Sequence, residues 1–288
     1  MRRAILIGLV VLVPLAALAA MFGIGRAMDG PGRGRDYVIR LVLPPPSGEV
    51  GLPKVEGPLD PSRPLVVIDA GHGGFDPGAG TGAIREKALT LSLAQGLRDE
   101  LLAHGGVRVA LTRDDDTFLM LPERAGIARR LKADLFISIH ADSAPGSDAS
   151  GATVYTLSER GSTQTAAQLA DAENRADTVN GVRLAAQADS VNAILVELSQ
   201  RETIAQSQDF AQLILREGAG HLRFRERSIE SAAFIVLKSA DLPSVLFEAG
   251  YISSPIDAEW LASSHGRGAF AKATAQAIRV YFARHQPG

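Results

Sequence analysis

The sequence predicts an α/β domain, a mostly parallel twisted sheet of about six strands with helices on both faces, spanning residues 64–288. Two observations carry that expectation. From Pro64 onward, short β-branched runs alternate with longer helical patterns, which is the order in which a parallel sheet and its crossover helices are written. Runs such as LVVID (65–69) and LFISI (135–139) are apolar nearly throughout, as strands buried on both faces must be. Composition agrees, because 46% of the 288 residues are hydrophobic and such a chain buries a sizeable core. Thirty basic side chains against 32 acidic ones leave a formal charge of −2, which excludes a nucleic-acid affinity resting on a broad basic surface. With no cysteine there are no disulfides, thiolate metal sites or cysteine nucleophiles, so any metal must sit on nitrogen and oxygen ligands.

In chain order, the apolar runs predict strands at 65–69, 107–112, 135–139, 153–157, 234–237 and 244–247. The stretches between them predict helices at 87–103, 122–131, 162–178, 192–218 and 266–283. The first of these helices stops before Gly105-Gly106, a helix-end signal. The fourth carries Ile194, Leu195, Leu198, Ile204, Phe210 and Leu213 on one apolar pattern.

Two segments precede the domain. Met1-Arg2-Arg3 leads into an uncharged apolar run from Ala4 to Gly25, enough to cross a hydrocarbon core of roughly 30 Å. Ala17-Leu18-Ala19 offers a cleavage site, so residues 1–28 are read as a signal peptide or signal anchor, and the protein as exported. Residues 29–63, with Gly30-Pro31-Gly32, Pro44-Pro45-Pro46 and Pro58-Leu59-Asp60-Pro61, read as a Pro/Gly-rich linker in which only 37–43 resembles a short strand.

Ligands of an open α/β sheet bind beyond the carboxyl ends of its strands. There the chain places His72 in the loop AGHGGFDPG (70–78), His140 in His140-Ala141-Asp142, and Glu248 in Glu248-Ala249-Gly250-Tyr251; Glu86 follows at the start of a helix. Two imidazoles and a carboxylate with an open fourth position match the ligand set of a catalytic zinc, which acidifies water and polarises a carbonyl. Glu248 then suits a general base that passes its proton to a leaving nitrogen.

Other readings fare worse. A strand-end histidine taken alone can be structural. The glycine loop lacks both G-x-G-x-x-G and G-x-x-x-x-G-K-[ST], and no G-x-S-x-G elbow offers a serine nucleophile. His104 reads as a helix C-terminal cap. His221, His265 and His285 read as solvated, and Arg113-Asp114-Asp115-Asp116 as a solvated charged turn rather than a second metal site.

Five ordered blocks carry a resemblance: VVIDAGHGGFDPGA (66–79), Arg85-Glu86-Lys87, LTRDDDTFLMLPERAGIA (111–128), ADLFISIHAD (133–142) and LPSVLFEAGYISS (242–254). Together they resemble the catalytic domain of the zinc-dependent N-acetylmuramoyl-L-alanine amidases, peptidoglycan hydrolases that separate daughter cells. The resemblance implies one Zn2+ per chain on His72, Glu86 and His140, with Glu248 as the catalytic acid/base. The reaction implied is hydrolysis of the amide between the lactyl group of N-acetylmuramic acid and L-alanine of the stem peptide, in the periplasm, by an enzyme either soluble or anchored to the inner membrane through residues 4–25.

Division amidases of this family often carry an inserted helix that covers the zinc until an activator protein moves it. The matching insertion here is about 161–201, and the implied partner is a periplasmic activator of the division machinery. Glu173 is then either an inhibitory carboxylate on the open zinc position or one of several exposed helix acids. The segment 192–215 is a packing helix or an activator groove. Arg129 and Ser254 stand where the family usually has Asn. The competing readings are a catalytically dead wall-binding module and a zinc hydrolase of different specificity.

Overall fold

Of the six apolar runs expected as strands from residue 64 on, all but one lie in a single sheet. The computed structural model describes residues 51–81, 84–143, 149–176, 178–179, 182–183, 193–239 and 241–285. The apolar leader and the expected strand at 37–43 lie outside them. Among the described residues, no helix is long and apolar enough to cross a membrane.

The first half comprises β1 (Leu65–Ala70), the short strands β2 (Gly80–Thr81) and β3 (Ile84–Arg85), α1 (Glu86–His104), β4 (Arg108–Leu111), α2 (Leu121–Arg130) and β5 (Leu135–His140). There follow β6 (Ala152–Leu157), α3 (Gln164–Glu173), the short strands β7 (Thr178–Val179) and β8 (Val182–Arg183), and α4 (Ala193–Gly218). The chain closes with β9 (Phe224–Ala232), a 3-10 turn (Ile235–Leu237), β10 (Ser244–Glu248), α5 (Pro255–Ala262) and α6 (Ser264–His285).

The sheet order is β4-β1-β5-β10-β6-β9. Within it only the β10–β6 pair is antiparallel. Alternation along each strand divides the core in two. Val66, Ile68 and Ala70 of β1 join Leu93 and Leu97 of α1, Phe210 and Ile214 of α4, and Phe270 and Ile278 of α6 on one face. Leu65 and Val67 join Leu121 and Ala128 of α2 and Ala166, Leu169 and Ala170 of α3 on the other. Pairing also reaches back into the segment read as linker, where Glu56 bridges Val109 with backbone hydrogen bonds of 2.8 and 2.9 Å along the outer edge of β4.

Three expectations need correction. The run 234–237 is not a strand: Phe234, Val236 and Leu237 bury their side chains through a 3-10 turn, and the sixth strand is β9, written FRERSIESA. An edge strand pairs on one side only and tolerates charged side chains, so β9 lacks an apolar run. The helix expected over 162–178 ends at Glu173, because the next residue turns its side chain to another segment. Asn174 Nδ2 donates to Ala233 O at 2.9 Å and its Oδ1 accepts from Ile235 N at 2.8 Å. Helix α5 was not expected, although Ser254 caps its start and Pro255 opens its first turn.

Leu97 is fully buried between α1 and the sheet. Leu97→Ala is expected to lower unfolding free energy by roughly 2–5 kcal/mol, seen as a lower denaturant midpoint with an unchanged m-value.

Candidate metal centre

The site forms where β1, β5 and β10 end. At the end of β1, the buried Asp69 carboxylate accepts hydrogen bonds from Thr112 Oγ1 (2.6 Å), Ser138 Oγ (2.7 Å) and Arg124 Nη1 (3.0 Å). Burial alone would raise its pKa, but the Arg124 charge and the two hydroxyls outweigh that and hold it below the ordinary carboxylate value. The chain then turns sharply, with His72 at φ 61, a left-handed conformation that costs a non-glycine residue of order 1–3 kcal/mol. Two buried arginines hold that turn by its carbonyls. Arg124 donates to Ala70 O and His72 O, both at 2.8 Å. Arg113 donates to Ala70 O and Gly71 O, also at 2.8 Å.

His72 Nδ1 bonds Asp76 Oδ2 at 2.7 Å, which orients the ring with Nε2 facing inward. Glu86, the first residue of α1, is fully buried between the two histidines, with Oε2 3.1 Å from His72 Nε2 and Oε1 3.3 Å from His140 Nδ1. Backbone N–H groups of Ala79 and Ala141 each donate to one of its oxygens at 2.8 Å. His140 closes β5, and its ring lies against Gly71: a Cβ there would be 2.5 Å from His140 Cε1 and Nε2. At Gly78, φ is 63, and a Cβ would meet Glu86 Oε2 and His72 Cδ2 at 2.7 Å.

Glu173 arrives from the opposite side, at the end of α3, with Oε2 3.2 Å from His140 Nδ1 and 3.7 Å from His72 Nε2. It is 6% exposed, unlike its helix neighbour Asp171, which is exposed. Helix α3 is fastened at both ends. At its start Thr163 accepts from Ala166 N and donates to buried Glu230, while Asn174 makes its two backbone bonds at the other end.

Glu248 closes β10 directly beside His140 in the sheet register. It is fully buried; Oε2 accepts from Asp142 N at 3.1 Å, and Oε1 has no hydrogen-bond partner. Burial, followed by the charges of Asp142, Glu86 and Glu173, pushes its carboxyl well above the usual range. Burial and the charges of Glu173 and Glu86 likewise push Asp142 up to about 7. Burial opposes protonation of His72, but Glu86, Glu173 and Asp76 overcome it and raise its pKa well above 6.5.

The donor set suits a metal. His72 Nε2, His140 Nδ1 and Glu173 Oε2 are buried without hydrogen-bond partners, and one such atom from each of the three residues lies within 4.8 Å of the others, a group able to hold a metal ion. Imidazole nitrogens with carboxylate oxygens are ligands zinc accepts. The structure thus brings His72, Glu86, His140, Glu173 and Glu248 together.

Sequence reasoning missed Asp69, Asp76, Arg113 and Arg124. The signal for Asp69 was a carboxylate inside an otherwise apolar strand; for Asp76, its place four residues after His72 in the glycine loop. The remaining candidates lie elsewhere. His104 ends α1 with its Nδ1 3.0 Å from Glu100 O; His221 and His265 are exposed; and His285 ends α6, stacked on Tyr281. Asp116 pairs with Lys87 at 2.7 Å in an exposed turn, but Arg113 is buried rather than solvated. Arg129 pairs with Asp241 on the surface and Ser254 caps α5, so neither enters the site.

Gly71→Ala forces its methyl into the His140 ring. The expected outcome is a folded protein whose divalent-metal affinity drops by roughly tenfold or more, measured by titration against a chromophoric chelator.

Residues 66–280 match the family described as N-acetylmuramoyl-L-alanine amidase. The chain is 40% identical over 223 residues to the N-acetylmuramoyl-L-alanine amidase AmiA of Salmonella typhimurium, a match covering 77% of each chain. Against AmiA of Escherichia coli it is 39% identical over 220 residues, 76% of each. Among solved structures, the N-acetylmuramoyl-L-alanine amidase AmiC2 of Nostoc punctiforme superposes with a TM-score of 0.56 at 30% identity, covering 77% of this chain and 98% of that one. The strand-end histidines and acids therefore belong to a catalytic domain of known kind, and the chain is a member of the N-acetylmuramoyl-L-alanine amidase family.

Proposed function

We propose that this amidase is zinc-dependent, with His72, Glu86 and His140 as the resident ligands, Glu248 as the catalytic acid/base and Glu173 as an inhibitory ligand. The observation that carries the reading is the set of inward-facing, partnerless atoms on His72 and His140, bracketed by Glu86 and facing Glu248. Zinc held there supplies Lewis acidity toward the scissile carbonyl and its attacking water. The protein does the rest. Asp76 keeps His72 in one orientation, and the Asp142 N–H steadies one oxygen of Glu248 while leaving the other free. With burial pushing its carboxyl above the usual range, Glu248 takes a proton from water and returns it to the nitrogen of the departing L-alanine.

The approach of Glu173 Oε2 to His140 Nδ1 and His72 Nε2 supports reading it as a carboxylate that competes with the substrate carbonyl for the metal. We read residues 161–201 as a regulatory insertion whose helix α3 must shift before peptidoglycan can enter, and a periplasmic activator of the division machinery as the agent that shifts it. Export by residues 1–28, a linker at 29–63 and a catalytic domain from 64 complete the proposal, placing the enzyme in the periplasm, free or anchored by residues 4–25. Its work there is wall remodelling and daughter-cell separation.

Two substitutions test the assignments on purified peptidoglycan. Glu248→Gln should retain zinc and release no stem peptide bearing an L-alanine amino terminus; full activity in that variant sinks the acid/base assignment. Glu173→Gln should raise the basal rate, by roughly tenfold for a coupling of ordinary size; an unchanged rate contradicts autoinhibition.

A further inference from the structure

We infer that Arg113 is a positioning residue for the metal site, locking the turn that carries His72 to the helix that carries Glu86. The inference rests on the reading of His72 and Glu86 as metal ligands.

Arg113 is 4% exposed, and its described hydrogen bonds end on four backbone carbonyls and one hydroxyl rather than on a carboxylate. The identity of those carbonyls is informative. Ala70 O and Gly71 O belong to the two residues before His72, and Lys87 O to the residue after Glu86. A single nitrogen, Nη2, donates to Gly71 O at 2.8 Å and to Lys87 O at 2.9 Å, so one planar group sets the separation of two ligand-bearing segments. Thr90 Oγ1 makes a second tie between the same elements, donating to Gly71 O at 2.9 Å. From the other side Arg124, anchored by Asp69, holds Ala70 O and His72 O.

This arrangement answers two demands at once. A left-handed histidine persists only where surrounding contacts fix it, and a ligand pair must be set to a fraction of an ångström before it binds metal well. Lysine cannot replace the guanidinium, because an ammonium is a point donor on a flexible stem, without the planar fork that reaches several carbonyls in fixed directions. Burying a guanidinium whose hydrogen bonds go to carbonyls, with no carboxylate among their described acceptors, is a poor way to stabilise a fold, which points to placement of backbone as the role of this side chain.

The test measures zinc dissociation constants by chelator competition, thermal stability, and the visible spectrum of the cobalt-substituted protein, all on the full chain. Four proteins are compared: the parent, Arg113→Lys, Thr90→Val, and Leu101→Ala at the far, buried end of α1. Arg113→Lys should weaken zinc binding by roughly 10- to 100-fold and shift the cobalt spectrum. Thr90→Val, which removes the bond donated to Gly71 O and the one accepted from Arg113 Nη2, should weaken it about fivefold. Leu101→Ala should melt earlier yet keep parental affinity and spectrum. Parental zinc affinity in both Arg113→Lys and Thr90→Val overturns the inference, as does an equal loss of affinity in Leu101→Ala, which makes the effect one of stability. If Arg113→Lys does not fold, Thr90→Val decides. A folded parent that binds no zinc contradicts the metal reading itself, a result distinct from either.

Discussion

Glu86, Glu173 and Glu248 are all buried at one end of the sheet, beside Asp142 and two histidines. Carboxylates cannot remain ionised at such proximity in a dry site unless cations compensate them. The tension is visible in opposite directions: Glu86, gripped by both imidazoles and outweighing its own burial, stays well below the usual range, while Glu248 and Asp142 are driven up. A divalent cation among the imidazoles would resolve it, and His72, His140 and Glu173 form a group able to hold one.

The frame of this site is the sheet. Parallel pairing of β5 with β10 puts His140 beside Glu248, so the proposed ligand and the proposed base are fixed relative to each other by backbone register rather than by loops. His72 has no such support, since it lies beyond the end of β1 in a strained conformation. Its position is set from below by Arg124 and Arg113, and from the side by Asp76. Glu173 differs again, because it rides on α3, a short helix packed by Ala166, Leu169 and Ala170 and tied at its ends by Thr163 and Asn174. The proposed ligands thus sit on the sheet end, on a braced loop and at a helix start, and the candidate inhibitor on a separate short helix.

The sequence exposed this plan unevenly, for physical reasons. Strands buried on both faces are nearly pure apolar runs, so β1, β5 and β10 and the residues closing them could be placed without a structure. Edge strand β9 could not, since its charged side chains hide the pattern, while the apolar run after it is a buried turn. Arg113 and Arg124 stood in quoted motifs, but an arginine is ordinarily a surface residue and nothing local marks one that reaches across to backbone carbonyls. Glu173 was named from its helix, whereas its burial against His140 depends on how far α3 runs before Asn174 stops it.

The most direct measurement is the metal content of the purified full chain by mass spectrometry, beside His72→Ala and His140→Ala. The account predicts about one zinc per parent chain and a folded, zinc-free protein in each variant. A folded parent that takes up no zinc when it is supplied, or variants that keep theirs, would contradict it.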